Sequence, residues 1–185
     1  MTRWLPLFAL CLLTLPALGA DPFDWAALAE EGFELVVDKS ERKVFVVDAR
    51  GSVRRTYPMG LGFEPVGDKE KEGDGRTPEG SFVVGRQVPW SQFHKAWLIN
   101  YPLPEDADRG LRDGLIDEVT ANRIKEAHRK GEVPPQHTAL GGLIELHGGG
   151  GESGDWTFGC VALDDAVLDE LWPHVKVGTK VTIRK

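Results

Sequence analysis

The sequence predicts a mainly β domain carrying two or three helices. Residues 33–59 hold three short runs rich in β-branched residues, separated by tight polar turns, which is the pattern of an antiparallel meander. Residues 176–185 alternate, with Val177, Val181 and Ile183 on one face, as a strand requires. Helical spacing is confined to short stretches at 24–32, 116–130 and 164–172.

Taken in order, residues 1–20 open on a basic Met-Thr-Arg, continue through an apolar run from Trp4 to Leu15 and leave by small residues. That is the layout of a cleaved export signal, and the apolar run is too short to span a bilayer. Residues 21–32 form a short helical lead, which Asp24 can cap and Gly32 can end. Strands follow at 33–37, 43–48 and 53–59. Residues 67–80 are charged and rich in glycine, and within them Gly73-Asp74-Gly75-Arg76-Thr77-Pro78-Glu79-Gly80 specifies a double turn. Strands resume at 81–86 and 95–101. Residues 103–142 read as an insertion or lid. In it, 106–110 are loop-like and 116–130 helical, with Ile116, Val119, Ile124 and Ala127 sharing a face. The main domain spans 33–185, and its last helix begins near Asp164.

Charge and cysteine usage narrow the function classes. The chain has 22 basic and 29 acidic residues, and loss of Arg3 with the signal leaves a net charge of −8. This argues against a nucleic-acid partner, which needs a basic face. After the signal, no segment is long and apolar enough to span a membrane. Of the two cysteines, Cys11 leaves with the signal, so Cys160 is unpaired in an exported chain. An unpaired thiol in an oxidising compartment is an intermolecular link, a reactive group or a buried inert residue.

The stretch from Ile144 to Leu163 favours the reactive group. An apolar run ends on His147, a glycine-rich loop follows, and the chain returns through Thr157-Phe158-Gly159 to Cys160. Thiol and imidazole joined by flexible backbone are suited to act as nucleophile and base. Alternation puts Glu145 on the face of His147, where it can orient the imidazole or remain a neighbouring carboxylate. Gly159 lets backbone N–H groups approach an oxyanion beside Cys160, and the positive end of the helix near Asp164 is placed to lower the thiol pKa.

His147-Gly148 followed by Thr157-Phe158-Gly159-Cys160-Val161 resembles the catalytic motif of the L,D-transpeptidases, and the turn at 73–80 resembles that family's upstream signature. The resemblance implies a β-sandwich-like catalytic domain acting on peptidoglycan stem peptides in the periplasm or cell envelope, without cofactor or metal. Cys160 would form a thioacyl enzyme, with a second stem or a wall-linked protein as acceptor. His147 would be general base and acid, and the carbonyl of Gly148 would orient it. Thr157, Phe158 and Gly159 would form the oxyanion and substrate contacts.

The sequence departs from the family at Ala162, where most members carry arginine or asparagine; Arg109, Arg112 and Lys95 are candidates, on charge alone, to supply what is missing. The same site could serve a hydrolase, as a carboxypeptidase or an amidase releasing stem-linked molecules. A zinc peptidase built on Glu145-x-His147, and a non-catalytic wall-binding module, are the readings from other classes. Trp97 and Trp156 are either cleft or core.

Overall fold

A computed structural model describes residues 23–151 and 154–185, so the export signal expected at 1–20 lies outside the described residues. The described residues form four helices and eight strands: α1 (Trp25–Glu31), β1 (Phe33–Asp38), β2 (Lys43–Asp48), β3 (Val53–Pro58), β4 (Gly80–Ser91), β5 (His94–Ile99), α2 (Pro104–Arg112), α3 (Glu118–Lys130), β6 (Glu145–His147), β7 (Val161–Ala162), α4 (Asp165–Leu171) and β8 (Lys180–Arg184). The mainly β class predicted from the alternating runs holds.

The strands lie in the order β3-β2-β1-β8-β4-β5-β6-β7. Pairings are antiparallel except β1 with β8 and β6 with β7. β4 joins two halves. Gly80 to Val83 pair with β8, and the residues from Val84 onward pair with β5 across bulges that bend the strand. The inward faces of both halves fill one core, which includes Leu35, Val37, Val44 and Val46 from one side and Trp97, Ile99, Leu146 and Val161 from the other. This common core is the sandwich-like packing the sequence implied.

The sheet's two ends meet at β7. Beyond β3, Gly60 bridges Ala162 and Gly62 bridges Thr157. Gly60 and Ala162 exchange two backbone hydrogen bonds of 3.0 and 2.9 Å. These pairings create β7, a two-residue strand with no pattern of its own.

Residues 103–142 differ from the sequence reading in two places. Residues 106–110 are helical, within α2, instead of loop-like. Pro104 opens the helix, the Asp106 carboxylate accepts from the Leu103 N–H at 2.8 Å, and Arg109 pairs with Asp106 one turn on. In α3 the buried residues are Ala121, Ile124 and Ala127, whereas Val119 is exposed. Asp117 sets that phase by capping the Thr120 N–H at 2.8 Å, two residues before Val119. The two helices share a small core of Ala107, Ala121, Ile124 and Leu140. Among the described residues no helix is long and apolar enough to cross a membrane.

Candidate active site

Register alone places the thiol beside the imidazole. β6 and β7 run parallel with Leu146 opposite Val161 and His147 opposite Ala162. Side chains alternate across a sheet, so Ile144, Leu146, Val161 and Leu163 point into the core, where they are found buried. Glu145, His147, Cys160 and Ala162 therefore share the other face. A strand spacing of ~4.8 Å and a rise of ~3.3 Å per residue put the Cα atoms of His147 and Cys160 about 8 Å apart, within reach of two side chains.

His147 is almost fully buried, at 2% exposure, and is tightly held. Its Nδ1 lies 2.6 Å from the Gly148 carbonyl. A carbonyl only accepts, so Nδ1 carries the proton and Nε2 keeps its lone pair. Phe93 stacks on the ring at 4.5 Å, and Trp156 meets it edge-on at 5.6 Å. Phe93 comes from the tight turn between β4 and β5, 54 positions upstream, and sequence reasoning missed it. A turn aromatic flanked by paired strands was the available signal. Desolvation holds the imidazole below its ordinary pKa of 6.5, and the bond to Gly148 opposes this only in part.

We expect Phe93→Ala to wet the ring and return its pKa toward 6.5. Only the neutral imidazole can accept a proton, so the acid limb of the kcat/KM–pH profile should then move to higher pH, and Phe93→Tyr should restore it.

Cys160 is a free thiol. Its Sγ accepts from the Glu145 N–H and donates to the Leu143 carbonyl, each at 3.4 Å. No hydrogen bond joins it to His147 in this resting geometry. Burial pushes the thiol pKa up to about 12, and the nearby Glu145 charge adds to this, while the Glu145 N–H and Lys69 act in the opposite sense. The helix expected after the cysteine is α4. Asp164 and Asp165 stand at the start of α4 and accept from the Gly151 and Gly149 N–H groups, both at 2.9 Å. That helix end carries carboxylates and holds the glycine loop.

The turn before the thiol is fixed from within. Thr157 is buried, and its hydroxyl donates to the Cys160 carbonyl at 2.7 Å while accepting from the Gly159 N–H at 3.2 Å. The Gly159 N–H, expected at the oxyanion, is thus already engaged. The N–H groups of Phe158 and Cys160 have no acceptor among the described residues. Phe158 itself is 80% exposed and packs edge-on against Phe63.

The upstream signature forms the floor of this turn. Thr77 is fully buried, and its hydroxyl accepts from the Gly62 N–H at 3.1 Å. Asp74 accepts from the N–H groups of Glu70, Lys71 and Arg76 and from Lys69 Nζ. Burial raises the pKa of Asp74, but these bonds outweigh it and hold the carboxyl below the usual range. Gly159 lies so close to this floor, at φ +120°, that a Cβ would come within 2.6 Å of the Arg76 carbonyl. A Cβ on Gly62 would meet the Gly75 carbonyl at 2.0 Å. Gly159→Ala should cost about 1–3 kcal/mol from the conformation alone, with more from the clash, and a thermal melt would read it.

Other candidates are placed elsewhere. Trp97 is core, stacked on Trp172. The three residues suggested from sequence to supply the charge missing at Ala162 each stand in an ion pair. Lys95 pairs with Asp169, Arg109 with Asp106 and Asp68, and Arg112 with Asp113. Lys69, held on Asp74 at 2.8 Å, is the cation whose charge reaches the thiol. Glu145 does not bond to the imidazole, whose Nδ1 is taken by Gly148. Among the described residues, no three His, Cys, Asp or Glu side chains gather as a metal site would require. Residues 136–143 border Cys160, since the Leu143 carbonyl accepts from Sγ and the Leu143 N–H is held by Gln136 at 2.8 Å.

The family model for the YkuD L,D-transpeptidase catalytic domain matches residues 32–183. Among solved structures, the fold is similar to that of a mutant of the helical cell shape determining protein Pgp2 from Campylobacter jejuni, with 20% identity and a TM-score of 0.56 over 87% of this chain and 53% of that one. It is similar also to Bd1075 of Bdellovibrio bacteriovorus, with 22% identity and a TM-score of 0.51 over 82% of this chain and 47% of that one. An L,D-transpeptidase from Xylanimonas cellulosilytica matches at 18% identity and a TM-score of 0.47, over 83% of this chain and 61% of that one. This chain thus spans about half to three-fifths of those proteins. No curated protein sequence matches it.

Proposed function

The chain belongs to the YkuD family of L,D-transpeptidase catalytic domains, and we propose that it is an exported peptidoglycan L,D-transpeptidase working through a thioacyl enzyme on Cys160. The observation that carries this reading is the parallel pairing of β6 with β7, which sets Cys160 on the face of an imidazole whose Nε2 is free to accept a proton.

The geometry supports the following route. At neutral pH both partners rest uncharged, because burial raises the thiol pKa and lowers that of the imidazole. Binding of a stem peptide brings the carbonyl of the L-centre, next to its terminal D-residue, onto Sγ. As the S–C bond forms, Nε2 takes the thiol proton. Charge develops on the carbonyl oxygen, where the unengaged N–H groups of Cys160 and Phe158 can donate. His147 then gives its proton to the leaving nitrogen as the C–N bond breaks, and the D-amino acid departs.

In the second half, an amine from another stem attacks the thioester carbon. The amine proton passes to Nε2 and from there to Sγ as the C–S bond breaks. The route needs no cofactor.

The test is product analysis. Purified stem peptide incubated with the protein and excess acceptor amine should yield a linked product lacking the terminal D-residue. Only water-resolved products, despite excess amine, would make the enzyme a hydrolase, which the alanine at 162 would suit.

A further inference from the structure

Glu145 is a charged group beside the nucleophile that the acyl-transfer route leaves idle. It stands opposite Leu98 across β5, and Leu98 stands opposite Arg86 on β4, so the three form one row that ends at the thiol. The end is fixed by the Glu145 N–H, which donates to Sγ at 3.4 Å. Leu98 is fully buried between the two charges. The carboxylate is half-buried, and among the described residues it accepts no hydrogen bond and joins no ion pair. Burial raises its pKa, and Arg86 opposes this only in part.

Two costs attach to this placement. A desolvated, unpaired carboxylate is unfavourable. Its charge also works against ionisation of the thiol and so hinders the first half-reaction. A group that impedes acylation is explicable if it serves the second half. There, a cationic acceptor must bring its nitrogen to about 3–3.5 Å from the thioester carbon.

We propose that Glu145 is the subsite for the ammonium group of the acyl acceptor, drawing it to the thioester before it loses a proton to solvent and attacks. This rests on the thioacyl reading above. It assigns Glu145 a specificity role and gives the site a preference for primary amines over neutral acceptors.

The test measures how one thioacyl enzyme partitions between acceptor and water. A stem peptide serves as donor, and acceptors are a second stem carrying a free amino group and its counterpart with hydroxyl in place of amine. The wild-type protein should favour the amine over the hydroxyl by at least about tenfold. Glu145→Gln should lower the aminolysis-to-hydrolysis ratio by a similar factor and leave the hydroxyl ratio within about twofold, and Glu145→Asp should recover part of the loss. These ratios do not depend on how fast the acyl enzyme forms or on what fraction of a variant folds. Equal partition for both acceptors in the wild type, or an unchanged ratio in Glu145→Gln, overturns the proposal. Intact mass read in parallel keeps the two levels apart: a wild-type protein that never acylates overturns the thioacyl reading and the subsite with it.

Discussion

Replacing Cys160 with alanine should abolish release of the terminal D-residue, a loss on the order of 10⁶-fold, while leaving the fold intact. The size follows from the route, since the acyl chain would have no thiol at 160 to join and water would have to attack in its place. The intact fold follows from the contacts. Among the described residues Sγ makes two long hydrogen bonds, to Glu145 and Leu143, and both partners are main-chain atoms of a segment anchored elsewhere. Glu145 to His147 remain paired with β5, and the Leu143 N–H remains on Gln136. The melting midpoint should move little, so lost activity reports chemistry rather than unfolding. Cys160→Ser should be nearly as inactive, because a hydroxyl in the same dry site is harder still to deprotonate.

His147→Gln should cost about 10³-fold at neutral pH, and it should also change the form of the pH profile. In the route proposed above the wild-type base is the imidazole of His147, which burial holds below 6.5. Activity should therefore be flat through neutrality and fall only as pH drops below that point, where the ring becomes protonated. Without the imidazole, attack must wait for spontaneous ionisation of a thiol whose pKa is about 12. The rate of His147→Gln should then climb roughly tenfold per pH unit between pH 7 and 10, one proton being lost per thiolate formed. A variant profile parallel to the wild type would show that the imidazole is not the base.

These two variants separate the roles the site assigns to its neighbours. Phe93 and Trp156 pack on the imidazole, covering it from solvent and fixing its orientation. Asp74 holds the turn at residues 69–76 together with Lys69, whose charge acts on the thiol. The upstream signature thus acts from beneath, through Gly159 against the Arg76 carbonyl and Thr77 on Gly62.

Much of the fold was legible because its residues carry their own pattern. The β1–β3 meander shows in the β-branched runs and their polar turns, and α4 shows in Val167, Leu168, Leu171 and Trp172. α2 was misread because its apolar face is thin, and the signal lay instead in Pro104, Asp106 and Arg109. β7 could not be read at all. Val161 and Ala162 become a strand only because His147 on one side and Gly60 on the other supply partners. Within the site, the pairing of Cys160 with His147 was legible from spacing and residue type, and the Gly148 carbonyl only through the family resemblance. Phe93, Lys69 and the engagement of the Gly159 N–H were not, since each depends on chain segments brought together only by folding. The carboxylates at the start of α4 were visible, but the sequence did not show that they would hold the glycine loop.

The thioacyl route is tested most directly by exposing the whole protein to a carbapenem, an acylating agent that stays attached, and weighing it intact. The wild type should gain a single adduct, mapped by peptide analysis to Cys160, with or without a chelator present, and Cys160→Ala should gain none. A folded wild-type protein that stays unmodified, or an adduct that persists in Cys160→Ala, would contradict it.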